Sequence, residues 1–229
     1  MSELDRIRQR YSERDASATL TGFWTLRNPV VLHLAQERER AIVALLAEQD
    51  LHLAGKRILD VGCGLGLEFA NLLRWGAPVD GLVGIDLLLP RLQAAQTRSP
   101  ALLVQASGDA LPFPDECFDL VCQNVVFSSV IDSVMRHAIA SEIGRVLKPD
   151  GHVLWYDIAR TRARDPHLRA VPQSEVEGLF PGWHWSWRRL SCDLGLLRRV
   201  KPVAGEAGMQ LLTALGIART HLLGLGQRR

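Results

Sequence analysis

The sequence predicts an α/β fold with a mostly parallel sheet covered by helices on both faces, and three observations carry that reading. Short apolar runs alternate with stretches of helical periodicity from about residue 57 to residue 158. The loops between them are short and carry Gly, Pro, Asn and Asp. Composition is that of a packed globular chain, with 47% hydrophobic and 23% charged residues over 229 positions, enough for one domain with an elaboration.

The elements follow in order. Asn28-Pro29 reads as an N-cap with a first-turn proline, and Val31, Leu34, Ala35, Ile42, Leu45 and Leu46 then recur at helical spacing to about Gln49. Arg57 to Val61 is a short strand ending in glycines, followed by a helix from Leu67 to Trp75 stopped at Gly76. Leu82 to Asp86 reads as a strand, Pro90 to Arg98 as a helix, and Ala101 to Ala106 and Phe118 to Asn124 as strands. Asp132 to Leu147 reads as a helix and His152 to Ile158 as a strand. Beyond residue 158 the chain turns basic and irregular, with a short helix at Ser174 to Leu179. Trp183, Trp185 and Trp187 alternate with polar residues, the period of a strand with one aromatic face lying under a helix. Leu196 to Leu215, holding Pro202 and two glycines, predicts an inserted, partly helical element before a last strand from Arg219 to Leu225. Three regions of one domain are therefore expected within 1–229: a helical cap over 1–50, a core over 51–158, and acceptor-side strands with a helical lid over 159–229.

Composition also narrows the partners. No apolar run approaches the roughly 18 residues of a membrane span, and the first fifteen residues lack the apolar stretch of a secretory signal, so a cytoplasmic location is expected. Cys63, Cys117, Cys122 and Cys192 form no C-x-x-C pair, which argues against a metal site or a disulfide framework. The formal charge is only +2, yet residues 159–229 carry 12 Lys/Arg against 5 Asp/Glu, an excess that hints at an anionic partner. Nothing resembles a nucleic-acid-binding module, so a small-molecule partner is expected. The oligomeric state is not legible.

The chemistry concentrates at Asp60-Val61-Gly62-Cys63-Gly64-Leu65-Gly66, between a predicted strand and a predicted helix. Glycines there let the backbone turn sharply and let a ligand approach the main chain at a helix N-terminus. The bulky Leu67 occupies the position where a dinucleotide fingerprint needs a small residue, which disfavours NAD. Asp86 ends the second strand, where one carboxylate can accept both hydroxyls of a ribose, and Leu87 follows it. Ser107-Gly108-Asp109-Ala110-Leu111-Pro112-Phe113 follows the third strand, and Glu142 to Gly151 forms a helix end and turn before the fifth.

This ordered set resembles the class I S-adenosylmethionine-dependent methyltransferases, in particular the group typified by the ubiquinone/menaquinone-biosynthesis methyltransferases. The resemblance covers about residues 55–160. It implies a Rossmann-like sandwich whose seven-stranded, mostly parallel sheet has an antiparallel last strand. It further implies that Asp60, Gly62, Cys63, Gly64 and Gly66 form the loop around the methionine part of S-adenosylmethionine, and that Asp86 and Leu87 meet the ribose. Gly108, Asp109 and Ala110 would meet the adenine, and Asn124 would lie under the methionine. Gapless alignment places Ser107 rather than Asp109 at the adenine-binding acid; Asp109 is favoured here, and both readings stay open. More distantly, Trp155-Tyr156-Asp157, the Leu-Phe-Pro-Gly run at 179–182 and Arg219-Thr220-His221 are similar to methyltransferases of bacterial cell-surface polysaccharide biosynthesis.

Methyl transfer from a sulfonium needs alignment more than acid–base help, unless the acceptor must lose a proton. Asp157 at the end of the fifth strand and His221 near the start of the last are the candidates for such a base, acting as a couple. The function expected from the sequence is methylation of a small polar acceptor, such as a glycan hydroxyl. A quinone-like or natural-product ring, and a non-catalytic cofactor-binding regulator, are the alternatives.

Overall fold

A computed structural model describes residues 2–17, 22–160 and 165–228. Helix α1 (Glu3–Ala16) is capped by the Ser2 hydroxyl, and α2 (Pro29–Glu48) by the Asn28 side chain, whose Oδ1 accepts from Val30 N–H at 3.1 Å. Strands β1 (Ile58–Val61), β2 (Leu82–Asp86), β3 (Leu102–Gln105) and β4 (Phe118–Asn124) alternate with α3 (Leu67–Arg74) and α4 (Leu89–Gln96). Then come α5 (Ser133–Val146), β5 (Leu147–Ile158), α6 (Gln173–Leu179), β6 (Trp183–Cys192), α7 (Leu194–Ala214) and β7 (Arg219–Arg228). The expected boundaries recur within one to three residues, with two exceptions. Strand β5 starts at Leu147 rather than His152, because Phe118 pairs with Leu147 before the register shifts to Leu120 opposite His152. Helix α1 had no apolar periodicity to announce it: Ile7 is its one buried residue.

The sheet order is β3-β2-β1-β4-β5-β7-β6, with β7 antiparallel to both its neighbours and the remaining pairs parallel. The mostly parallel sheet with an antiparallel last strand is therefore present. The order reverses between β1 and β4, so a crevice opens at their carboxyl ends.

Two apolar layers hold the sheet. On one face Val61, Val121, Val153 and Trp155 pack with Phe127, Ile139 and Ile143, and with Val176 and Phe180 around α6. On the other, Ile58, Leu120, Leu154 and Leu223 pack under α2, α3 and α4 through Ile42, Leu45, Phe69, Leu72 and Leu92. The tryptophan stripe of β6 lies on the first face, as its spacing predicts. Trp185 and Trp187 stack at 4.5 Å and 5°, over the bare backbone of Gly224 and Gly226 in β7. Among the described residues no helix is long and apolar enough to cross a membrane.

Candidate active site

The glycine loop leaves β1 with three residues in the left-handed region, Gly62 (φ 71°), Gly64 (φ 55°) and Gly66 (φ 72°). Only glycine adopts this conformation cheaply, and two of the three also lack room for a side chain. A Cβ at Gly62 would lie 2.7 Å from Val126 Cγ2, and one at Gly66 3.0 Å from Ala95 Cβ. At Gly64 the nearest atom would be the movable Arg91 Nη1 at 3.5 Å, an ordinary contact, so the backbone there is not crowded. Cys63 is buried and turns inward against β2, where a Cβ at Gly84 would meet its Sγ at 2.8 Å. Its N–H donates to Ile85 C=O at 2.8 Å, and burial pushes its thiol well up from its usual range.

Asp86 reaches back across this loop. Its Oδ2 accepts from Gly64 N–H at 2.9 Å and its Oδ1 from Leu88 N–H at 2.9 Å. Burial raises its pKa, with these two donors and Arg91 opposing the rise. Asp60, buried at the end of β1, has an Oδ1 without a hydrogen-bond partner among the described residues, and burial pushes its pKa well up. Leu87 is half-buried beside the first core. Beyond β3, the Ser107 hydroxyl donates to Asp109 Oδ1, so the two candidates for the adenine-side acid stand at one corner, with half-buried Gly108 between them and exposed Ala110 beyond. Asn124 ends β4, half-buried.

The structure does not bring the expected Asp157–His221 couple together. In the β5–β7 ladder Asp157 pairs with Leu222 while Ile158 pairs with His221, so the period-two alternation turns the two side chains to opposite faces. Asp157 is fully buried, and its carboxylate accepts from Ser128 N–H at 3.2 Å and Ile158 N–H at 2.7 Å. Burial raises its pKa to about 6. It fixes the 127–129 turn. His221 instead stacks on Tyr156 (5.0 Å, 12°) and its Nδ1 meets Thr220 Oγ1 at 2.9 Å; burial, with Arg38 nearby, lowers its pKa to about 4.

Four features escaped the sequence reading. Val125, directly after β4, sits at φ 58°, a costly conformation for a β-branched residue, and its N–H donates to Tyr156 C=O at 2.8 Å. Arg38 of α2 reaches Glu68 of α3 at 2.5 Å across the Tyr156 ring. Arg91 of α4 lies over the Tyr11 ring at 4.3 Å and pairs with Asp15 at 2.6 Å. Finally, α1 lies along the loops of the crevice: Glu3 accepts from Ile131 N–H at 2.5 Å, Arg6 donates to Ser129 C=O at 2.6 Å, and Tyr11 Oη meets Ser129 Oγ at 2.8 Å. Of these, only an arginine next to a first-turn proline was visible in the sequence, and that carries no signal.

The strand order, the loop and the strand-end acids together define a Rossmann-like methyltransferase architecture. Residues 59–155 match the family model described as a methyltransferase domain. The chain is 33% identical over 163 residues to a demethylmenaquinone methyltransferase of Roseiflexus castenholzii, a match covering 69% of this chain and 64% of that protein. It is also 33% identical over 112 residues to a ubiquinone biosynthesis O-methyltransferase of Photorhabdus laumondii, covering 47% of this chain and 45% of that one. Among solved structures, a methyltransferase of Thermotoga maritima superposes with a TM-score of 0.64 at 14% identity over 99% of both chains. One of Mesorhizobium loti superposes at 0.59 with 18% identity, over 81% of this chain and 96% of that one. The chain is similar to class I S-adenosylmethionine-dependent methyltransferases, the quinone-biosynthesis enzymes among them. It spans just under two thirds of the length of the first of these relatives.

The residues present fit S-adenosylmethionine. The uncrowded backbone at Gly64, the buried Asp60 oxygen without a partner among the described residues and the carboxylate of Asp86 lie at the ends of β1 and β2, a donor and acceptor set suited to an amino acid joined to a ribose.

Proposed function

We propose that the chain transfers the methyl group of S-adenosylmethionine to a small organic acceptor, and that the acceptor is a quinone-like ring. The first half rests on one observation above the others: Asp86 holds the Gly64 N–H where the strand order reverses, so loop and acid form one preformed cradle. The ring follows from the names of the relatives, which include demethylmenaquinone and ubiquinone-biosynthesis enzymes. The glycan hydroxyl expected from the sequence has no counterpart in these names, which lend no support to polysaccharide biosynthesis.

In this reading Gly62, Gly64 and Gly66 let the backbone meet the methionine part, Asp60 faces its ammonium, Asp86 takes the ribose hydroxyls, and Ser107 with Asp109 borders the adenine. The cofactor supplies an activated methyl group, and the chain supplies alignment. Asp157 acts by holding the 127–129 turn rather than as a base, and His221 serves no shared proton with it. An anionic acceptor finds less support than the charge excess implied. Arg219 donates to Thr213 C=O and Arg169 to Ile131 C=O, while Arg162 and Arg164 lie outside the described residues.

Titration calorimetry with S-adenosylmethionine, followed by transfer of a labelled methyl group to a demethylated quinol and to a sugar hydroxyl, tests both halves. Cofactor binding with label on the quinol supports them. A folded protein that does not bind the cofactor refutes the first half, and label on the sugar alone refutes the second. Binding without transfer to any acceptor returns the regulator.

A further inference from the structure

The inserted helix α7 carries a surface that neither the core nor the cradle uses. Its inner side is well accounted for: Leu197 and Met209 are buried with Val30 and Cys192, and His33 of α2 bridges Glu206 (3.0 Å) and Thr213 (2.8 Å). Its outer side is not. At Gly205 the backbone leaves helical geometry (φ 59°, ψ −149°), and residues 201–207 protrude, each exposed, with Val203 at 89%. Leu211 near the end of α7, and Leu215 and Ile217 in the turn just past it, are exposed as well, at 59%, 63% and 41%. Trp24 and Leu26 join it at 47% and 63%, in a segment tied to α7 by Arg198, whose guanidinium lies 5.5 Å from the Phe23 ring.

Cations are interleaved with these residues. Arg27, Arg198, Arg199 and Lys201 have no ion-pair partner among the described residues, whereas the only acid of α7, Glu206, is held by His33. An open hollow of about 400 Å³ lined by Gly195, Arg198 and Arg199 lies at the first turns of the helix. Because α7 enters from the end of β6 and feeds the start of β7, the surface belongs to the same edge of the sheet as the crevice.

We propose that this face docks the protein on an anionic lipid bilayer, with Val203, Leu211, Leu215 and Trp24 entering the headgroup boundary and Arg198, Arg199 and Lys201 meeting lipid phosphates. Exposed apolar side chains flanked by unpaired cations are the combination by which an amphipathic helix lies in an interface. Clustered basic residues supply attraction that a neutral surface does not. A protein groove would bury the apolar residues equally well, but it gives no reason for four cations without partners. The inference needs no particular acceptor, so it survives or fails apart from the quinone reading.

The test is flotation of the full chain with vesicles of phosphatidylcholine alone and of phosphatidylcholine with about 30% phosphatidylglycerol. The expected result is association with the anionic vesicles only, reduced at least tenfold in 0.5 M NaCl as screening shortens. Arg198→Glu with Arg199→Glu and Lys201→Glu, and separately Val203→Asp with Leu211→Ser, should each lower vesicle affinity at least tenfold while leaving S-adenosylmethionine affinity unchanged. Arg98→Glu, on a distant exposed arginine, should leave vesicle binding as it was. No association with anionic vesicles, equal binding to neutral ones, or an Arg98 variant as weak as the triple variant would each overturn the proposal.

Discussion

At the residue scale, the cradle depends on one carboxylate and on one uncrowded glycine. Asp86→Ala leaves the N–H groups of Gly64 and Leu88 without their acceptor and, in the proposed function, removes the group that takes the ribose hydroxyls. Charge-assisted hydrogen bonds of this kind contribute about 1.5–3 kcal/mol each, so calorimetry should show cofactor affinity lower by at least tenfold in a folded protein. Gly64→Val is strained at φ 55° but meets only the movable end of Arg91 near its Cβ, so it should fold with lowered stability and bind cofactor poorly because its branches project into the crevice. An unaltered dissociation constant in either variant would show that the loop is only a structural turn. Asp157 makes a different prediction. Its folded pKa of about 6 exceeds the ordinary 3.8, so the folded state holds its proton more tightly, and stability falls as pH rises from about 4 to about 6 and is level above. For a fully buried group the loss is on the order of 1–3 kcal/mol. Denaturant titrations should find that Asp157→Asn flattens this decline; an unchanged pH slope would mean that the carboxyl is not protonated in the fold. The positions of Asp86 at a strand end and of the glycines in the loop after β1 were legible because both are local features. The sequence paired Asp157 with His221 wrongly because a one-residue difference of register decides which face each occupies.

At the scale of elements, β6 and β7 show why a pattern can be legible while its partner is not. The alternating tryptophans announce a strand, and the alternation Gly224-Leu225-Gly226 two elements later is its complement. Each glycine stands opposite a tryptophan, Gly224 against Trp187 and Gly226 against Trp185, so the rings lie flat on bare backbone. A Cβ at Gly224 would lie 2.0 Å from Trp187 Cζ3, within the ring itself. Gly224→Ala should therefore displace the indole and cost about 1–3 kcal/mol by overpacking, a fall of roughly 2–10 °C in melting temperature for a chain of this length. Trp187→Leu should recover part of that loss in the double variant, which a thermodynamic cycle would read as coupling. Purely additive effects would mean that the glycine is needed for its backbone alone. The kink of α7 was half-legible: Pro202 and Gly205 mark an interruption, but only the structure shows helix on both sides of it.

At the scale of the whole molecule, stability and access to the crevice are carried by different parts of the chain. The sheet and its two apolar layers were readable because buried parallel strands write themselves as uninterrupted apolar runs. Helix α1 was not readable, because what fixes it is polar and distant in sequence. Glu3 binds the backbone of Ile131 and Asp132, Arg10 pairs with Asp165, and Asp15 pairs with Arg91 beside the glycine loop. Arg6 holds the pKa of Glu3 down to about 2, so this clamp stays ionised through the physiological range. Every one of these contacts falls on a segment bordering the crevice, and the helix adds only Ile7 to the buried core. Deleting residues 2–16 should therefore leave the sheet folded, with far-ultraviolet circular dichroism reduced only by the lost helix. Locally the effect should be large: amide exchange at 129–132 should accelerate, since those groups lose Glu3, Arg6 and Tyr11 together. Cofactor dissociation should quicken by more than association does, because α1 braces the crevice rather than blocks the loop backbone at Gly64. A truncated chain that unfolds globally would show α1 to be part of the core, and one with unchanged exchange at 129–132 would show that the loop stands without it.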